Sequence, residues 1–331
     1  MTSNRRFTRF ELYKYLILLC LFLSPLAVLG QTASYPTRGV VVVVPYSTGG
    51  STDLISRVLA RELGAQMGRS VVVENRVGGG GVIGWSSVAR APADGYTLLS
   101  TELSFTIAPG LLPSLPFDAR KSFQHIITAT AVPHVLVVTP SLPVKDISGL
   151  IALAKARPGE LNFGSGGAGT NTHLGSELFK NVTQIKMEHI PYKGAGAVLT
   201  DLMAGQVQVL VAAAPTVLTY VANKRLRPLM VTAERRAAVL PTVPSAIELQ
   251  LPKMVMKFWV GYAVPAGTPI PVVERLHKEI AQALVAPEAA KRLAEMGVDA
   301  VGNSSAEASQ LVSDEIDRWT AVIKAAGIKP N

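Results

Sequence analysis

The sequence predicts an α/β protein of two domains, each a doubly wound sheet flanked by helices, and three observations carry that prediction. Short β-branched runs alternate with amphipathic helical patterns along most of the chain. Roughly 300 residues remain after an N-terminal leader, more than a single core usually serves. The alternation also runs as two similar sets, with changes of text near residues 134 and 258.

The first thirty residues read as an export signal. Arg5, Arg6, Arg9 and Lys14 make a basic start, and Leu16 to Leu29 form an apolar stretch too short and too early for a membrane span. Cleavage after Gly30, or near Ala33, predicts a periplasmic protein without cysteine, because Cys20 is the only one in the chain.

Val40 to Val44 is continuous and β-branched, which predicts a strand buried on both faces of a parallel sheet. Leu54, Ile55, Val58, Leu59, Leu63 and Met67 then keep to one side at helical spacing. Between strand and helix lie Tyr46, Ser47, Thr48, Gly49, Gly50, Ser51 and Thr52. Such a loop aims unpaired amides and the positive end of the helix dipole at whatever stands in front of it, which suits an anion. Asp53 would repel an anion; it stays among the candidate residues, but its expected work is to charge its own helix terminus.

The first set continues with "SVVVEN" as a strand, a glycine-rich turn, "GVIGWSSVARA" as a helix and "YTLLST" as a strand that ends at Thr101 and Glu102. The second set begins near residue 133 with "PHVLVVTP", the helix "DISGLIALAKARPG" and the strand "LNFGS". There "NFGSGGAGTNTHLGSELF" repeats the first loop's geometry, with Thr170, Asn171 or Thr172 as the helix cap. Ser165, Gly167, Gly169, Thr170, Asn171 and His173 are its candidate site residues. Further strands and helices lead to "FWVGYAVPAGTP" and three amphipathic helices that return to the first domain. The expected domains are 35–134 with 258–331, and 135–257, joined by two crossovers that form a hinge.

Composition narrows the function. The leader holds four basic residues and one acidic, so the mature part keeps +6 of the chain's +9, scattered rather than clustered, which argues against nucleic acid. The five histidines show no metal-binding spacing, and neither a nucleophile elbow nor a phosphate-binding P-loop is present. Gly79, Gly81 and Gly84 satisfy the dinucleotide pattern, as do Gly164, Gly166 and Gly169. The first lies between a strand and a helix, so an NAD-dependent oxidoreductase built on the Gly79–Gly84 turn is the competing enzyme reading.

Taken in order, "VVPYSTGGSTD", "VVVENRVGGGGVIG", "ADGYTLL", "LPFD", "TPSLPVKDISGLIALAKARPGELNFGSGGAGTNTHLGSELF", "IPYKGAGAVLTDLMAGQV" and "VPAGTP" resemble the solute receptors of tripartite tricarboxylate transporters, the Bug or TctC family, over the whole mature chain. The resemblance implies a two-domain periplasmic-binding-protein (Venus flytrap) fold, type II-like, with no cofactor, no metal and no catalytic activity. It implies delivery of a small organic carboxylate to integral membrane transporter subunits, and a monomer is expected; a sensor presenting its ligand to a membrane kinase would use the same receptor. One ligand carboxylate is expected between Tyr46–Asp53 and Ser165–His173. The chain departs from the family pattern at Ser47 and Thr48, at Glu102, and at Ala212 and Ala213. Glu102 is therefore expected to face the crevice and disfavour a second ligand carboxylate, reading a donor or positive charge at the ligand's far end, with Ala212 in an apolar far wall.

Overall fold

A computed structural model describes residues 35–112 and 114–329. Its strands are β1 (Val40–Val44), β2 (Val71–Asn75), β3 (Thr97–Glu102), β4 (Phe123–Val138), β5 (Asn162–Ser165), β6 (Glu188–Pro191), β7 (Val209–Ala213), β8 (Arg227–Val231), β9 (Lys257–Pro265) and β10 (Asp299–Ala300). The helices, in chain order, are α1 (Ser51–Met67), α2 (Val82–Ala89), α3 (Leu103–Leu111), α4 (Ile147–Ala156), α5 (Asn171–Thr183), α6 (Ala195–Met203), α7 (Ala214–Ala222), α8 (Ile270–Val285), α9 (Pro287–Glu295) and α10 (Ser305–Ala326). The predicted leader, residues 1–30, lies outside the described residues.

β1 pairs in parallel with β2 on one side and β3 on the other. Next to them the sheet turns antiparallel, as β3 pairs with β9 and β9 with β4. β4 holds the sheet together. Its residues up to Pro133 pair with β9, whereas His134 to Val138 pair with β7, and β7 and β6 both pair in parallel with β5. The ladder thus changes partner between Pro133 and His134, and the chain rejoins it at Lys257. Below, the first half is the part built on β1 and β9, and the second half the part built on β7.

Three details differ from the sequence expectation. β4 starts at Phe123, not near residue 133, because a proline within a strand reads as a break. Pro133 is tolerated where β4 exchanges one partner for another. α3 carries no polar stripe to betray it, since all but two of its residues are buried, and α7 leaves β7 without any loop.

Period-two alternation explains the apolar run "VLVV". Leu136 and Val138 enter one core with Phe163, Phe179 and Val211, while Val135 and Val137 enter another with Val198, Leu202 and Val217. A sheet covered on both faces leaves no polar side for the pattern to show. In the first half Trp85 and Phe123 meet Phe105 edge to face at 5.6 and 5.3 Å, and α10 packs on α3 and β4. α10 begins with a reciprocal Ser304–Glu307 capping box.

Candidate functional site

The two glycine-rich loops meet. α1 starts at Gly50 and α5 at Thr170, and their first turns line one cavity with Tyr46, Gly166, Ala195, Ala213, Thr216 and Phe258. The cavity measures about 30 Å³, room for a water or two. Around it the halves are bonded directly to each other. The Ser51 amide donates to Thr216 Oγ1 at 3.0 Å, the two hydroxyls lie 2.7 Å apart, and the Ser47 amide donates to the Lys193 carbonyl at 3.0 Å.

Glycine makes this approach possible. A Cβ on Gly196 would fall 2.4 Å from the Thr48 carbonyl oxygen, and one on Gly80 would fall 2.3 Å from that of Ala168. The tetraglycine turn therefore abuts the second loop, and this packing accounts for Gly80 without a nucleotide.

Of the candidate residues, Tyr46, Gly50, Ser51, Thr52, Thr170 and Asn171 line the cavity. The others do not line it. Ser47 and Thr48 face α6 through their backbone. Asp53 turns back, accepting from the Gly49 amide at 3.0 Å and from Asn75 Nδ2 at 3.0 Å and pairing with Arg57 at 2.8 Å, so it holds the loop to its own helix and to β2. Thr101 is buried opposite Gly261 of β9. Ser165 Oγ accepts from the Gly167 amide and bonds His189 Nε2 at 2.5 Å.

Two candidates are displaced from the lining. His173 Nδ1 accepts from the Gly169 amide at 3.3 Å, and its ring stacks on His189 at 4.1 Å, outside the cavity lining. Ala212 lies in the core beside Val135 and Val217, because successive strand residues face opposite ways; Ala213 takes the cavity instead. Sequence reasoning missed Ala195, Thr216 and Phe258, held Gly166 and Thr172 only within the Ser165–His173 loop, and chose Ala212 where Ala213 lines the cavity. A signal for some existed: "AAAPT" is a third junction of strand, small residues and helix.

Glu102 departs most from expectation. Fully buried, it accepts from Tyr46 Oη through Oε1, and from the Ser104 amide and Asn171 Nδ2, both at 2.8 Å, through Oε2. Its oxygens are thus occupied by the protein and are not held free to read the far end of a ligand. Asn171 is oriented from behind by His134, whose Nε2 lies 2.9 Å from Asn171 Oδ1. Since Asn171 Nδ2 donates to Glu102, Asn171 Oδ1 faces His134 as an acceptor, and His134 donates to it through Nε2. Burial raises the Glu102 carboxyl above its ordinary value against the lowering effect of its donors, and burial, then Glu102, raises the Tyr46 phenol well above 10.0, so Tyr46 is the donor.

Burial, the largest cause in each case, depresses His125, His134, His173 and His189 from 6.5 to about 4. Between those values the unfolded chain binds more protons than the folded one, so stability falls as pH drops through that window. The slope is about 1.4 kcal/mol per pH unit for each ring. Glu102 acts in the opposite sense, its raised carboxyl favouring the fold at lower pH. With four histidines against one carboxyl, the thermal midpoint is expected to fall between pH 6.5 and 4.5 in a circular-dichroism series; a flat or rising profile would contradict this.

Paired glycine-rich loops at strand-to-helix junctions, facing each other over one cavity in a mixed α/β fold, are the arrangement of a ligand-binding protein. The family model described as "Tripartite tricarboxylate transporter family receptor" matches residues 55–328, and the chain belongs to that family. It is similar to Protein BugT of Bordetella pertussis, 37% identical over 298 residues that make up 89% of this chain and 91% of BugT. Among solved structures, Rpa4515 of R. palustris with adipate is 35% identical at a TM-score of 0.86, covering 90% of this chain and 100% of that one. MatC from Rhodopseudomonas palustris with bound malate is 29% identical at a TM-score of 0.85, over 87% of this chain and 100% of its own. The fold is accordingly the two-domain fold of periplasmic binding proteins, and the chain is a solute-binding receptor.

Proposed function

We propose that the mature protein, exported to the periplasm on removal of residues 1–30, captures a small organic carboxylate between two domains and delivers it to the membrane subunits of a tripartite tricarboxylate-type transporter. The domains would be 35–134 with 258–331, and 135–257. The observation that carries this reading is the convergence of the α1 and α5 N-termini on one cavity, where the first-turn amides of Thr52, Asp53 and Thr172 have no intrahelical acceptors. Malate and adipate in the related structures support the ligand class.

A cavity of about 30 Å³ is too small for such molecules. Entry then requires the halves to part, with the change absorbed near Pro133–His134 and Met256–Lys257, where β4 and β9 connect them. Ligand that bridges Gly50–Thr52 and Thr170–Thr172 would favour the closed form, which the membrane partner recognises. The chemistry is capture and release, with no bond made or broken.

Thermal-shift measurements against mono-, di- and tricarboxylates, with NAD+ alongside, test the reading. At least one small carboxylate should raise the midpoint, corresponding to about 2.7 kcal/mol at a hundredfold excess over Kd, and NAD+ should not. Stabilisation by NAD+ with none by any carboxylate would overturn it.

A further inference from the structure

We infer that Glu102 is a resident carboxylate: it occupies a carboxylate-binding place of this receptor's own cleft and so restricts the receptor to ligands with a single carboxylate. The inference rests on the carboxylate-receptor reading above and specifies its substrate class.

The donor set is what a receptor offers an anionic ligand. Tyr46 comes from the loop after β1, Ser104 from the first turn of α3, and Asn171 from the second half, and all three converge on one carboxyl group. Tyr46 and Asn171 also line the ligand cavity, so the place filled by Glu102 adjoins it. Among the described residues no cation pairs with Glu102; the three groups that donate to its carboxyl are all neutral.

Local structure does not require a glutamate here. Glu102 is the N-cap of α3, and its side chain accepts from Ser104. Caps are normally Ser, Thr, Asp or Asn, whose shorter side chains reach that amide as well. The extra methylene carries the carboxylate to Asn171 across the cleft. Asn171 in turn is set by His134, at the point where β4 changes partner. A chain of polar contacts therefore runs from the hinge strand through the second half to the first, with a side-chain carboxylate where a ligand's could sit. A second ligand carboxylate would meet both the occupied donors and the charge of Glu102.

The test restores the missing group from solution. Removing the side chain in Glu102→Ala leaves three donors around a space the size of formate or acetate, whereas Glu102→Gln keeps the space filled. Glu102→Ala should unfold at a lower temperature than wild type in sodium chloride. Sodium formate or acetate at equal ionic strength should raise its midpoint by about 2 to 4 °C, saturably. Wild type and Glu102→Gln should show no such rise. Glu102→Ala should also gain affinity for dicarboxylates relative to monocarboxylates.

A folded Glu102→Ala that responds alike to formate, acetate and chloride would overturn the proposal. If Glu102→Ala does not fold in chloride, recovery on refolding in formate or acetate supports the proposal, and equal failure in all three salts overturns it. Wild-type binding of carboxylates, measured in parallel, separates the two claims. Rescue of Glu102→Ala beside a wild type that binds no carboxylate would sink the receptor reading alone. Strong dicarboxylate binding by wild type with no rescue would sink the resident carboxylate alone.

Discussion

Replacing Gly196 by alanine is expected to weaken ligand binding at least about tenfold, or ~1.4 kcal/mol, without lowering stability. Gly196 lies in the first turn of α6 with φ outside the left-handed region, so alanine fits its backbone and favours the helix by a few tenths of a kcal/mol or more. The added methyl acts only when the halves meet. It would sit 2.4 Å from the Thr48 carbonyl oxygen, closer than such atoms can approach, and a tight 3.0 Å from the Gly50 nitrogen. The variant must therefore hold the cleft ajar by about 1 Å, and a ligand that gains affinity from both halves loses part of it. Calorimetry with a thermal melt checks both parts; unchanged affinity would show that closure to this contact is not needed for binding.

The second large effect concerns Asn171. In Asn171→Asp a carboxylate oxygen replaces the amide nitrogen that stands 2.8 Å from Glu102 Oε2, inside a site where neither is exposed. Two carboxylates so close cannot both ionise, and Glu102 loses a donor as well. The loss of stability at pH 7 should be about 3 kcal/mol or more. Its sign with pH is distinctive. One carboxyl of the pair is pushed up, so the deficit relative to wild type should shrink as pH falls towards 5, while Asn171→Leu, which brings no second charge, should not recover. Urea unfolding of the three proteins at both pH values measures this, and a pH-independent deficit for Asn171→Asp would contradict the arrangement.

Much of this was legible in the sequence. Val40–Val44 followed by small residues and a helical stripe fixed the first loop, and the same grammar at Ser165–Thr172 fixed the second. Burial on both faces and a partner change hid the full length of β4, because neither leaves a period that a single strand can show. Within the site, backbone-donating positions were readable from glycine and hydroxyl residues at helix starts. Side-chain direction was not. Glu102 stands where a strand-end reader would stand, and only the third dimension brings Tyr46, Ser104 and Asn171 onto its oxygens. Ala212 and Ala213 differ by one residue and hence by a whole face of the sheet.

The central claim, that a small carboxylate is bound between two halves that close on it, is tested most directly by small-angle X-ray scattering. The protein would be measured after unfolding, dialysis and refolding to strip ligand, and again when saturated with a carboxylate whose binding calorimetry has established. The account predicts a more extended stripped particle and a compact loaded one whose halves stand apart only as far as the ligand between Gly50–Thr52 and Thr170–Thr172 requires, with Gly196→Ala remaining more extended under the same ligand. Identical profiles for stripped and loaded wild type, with calorimetry confirming occupancy, would contradict it.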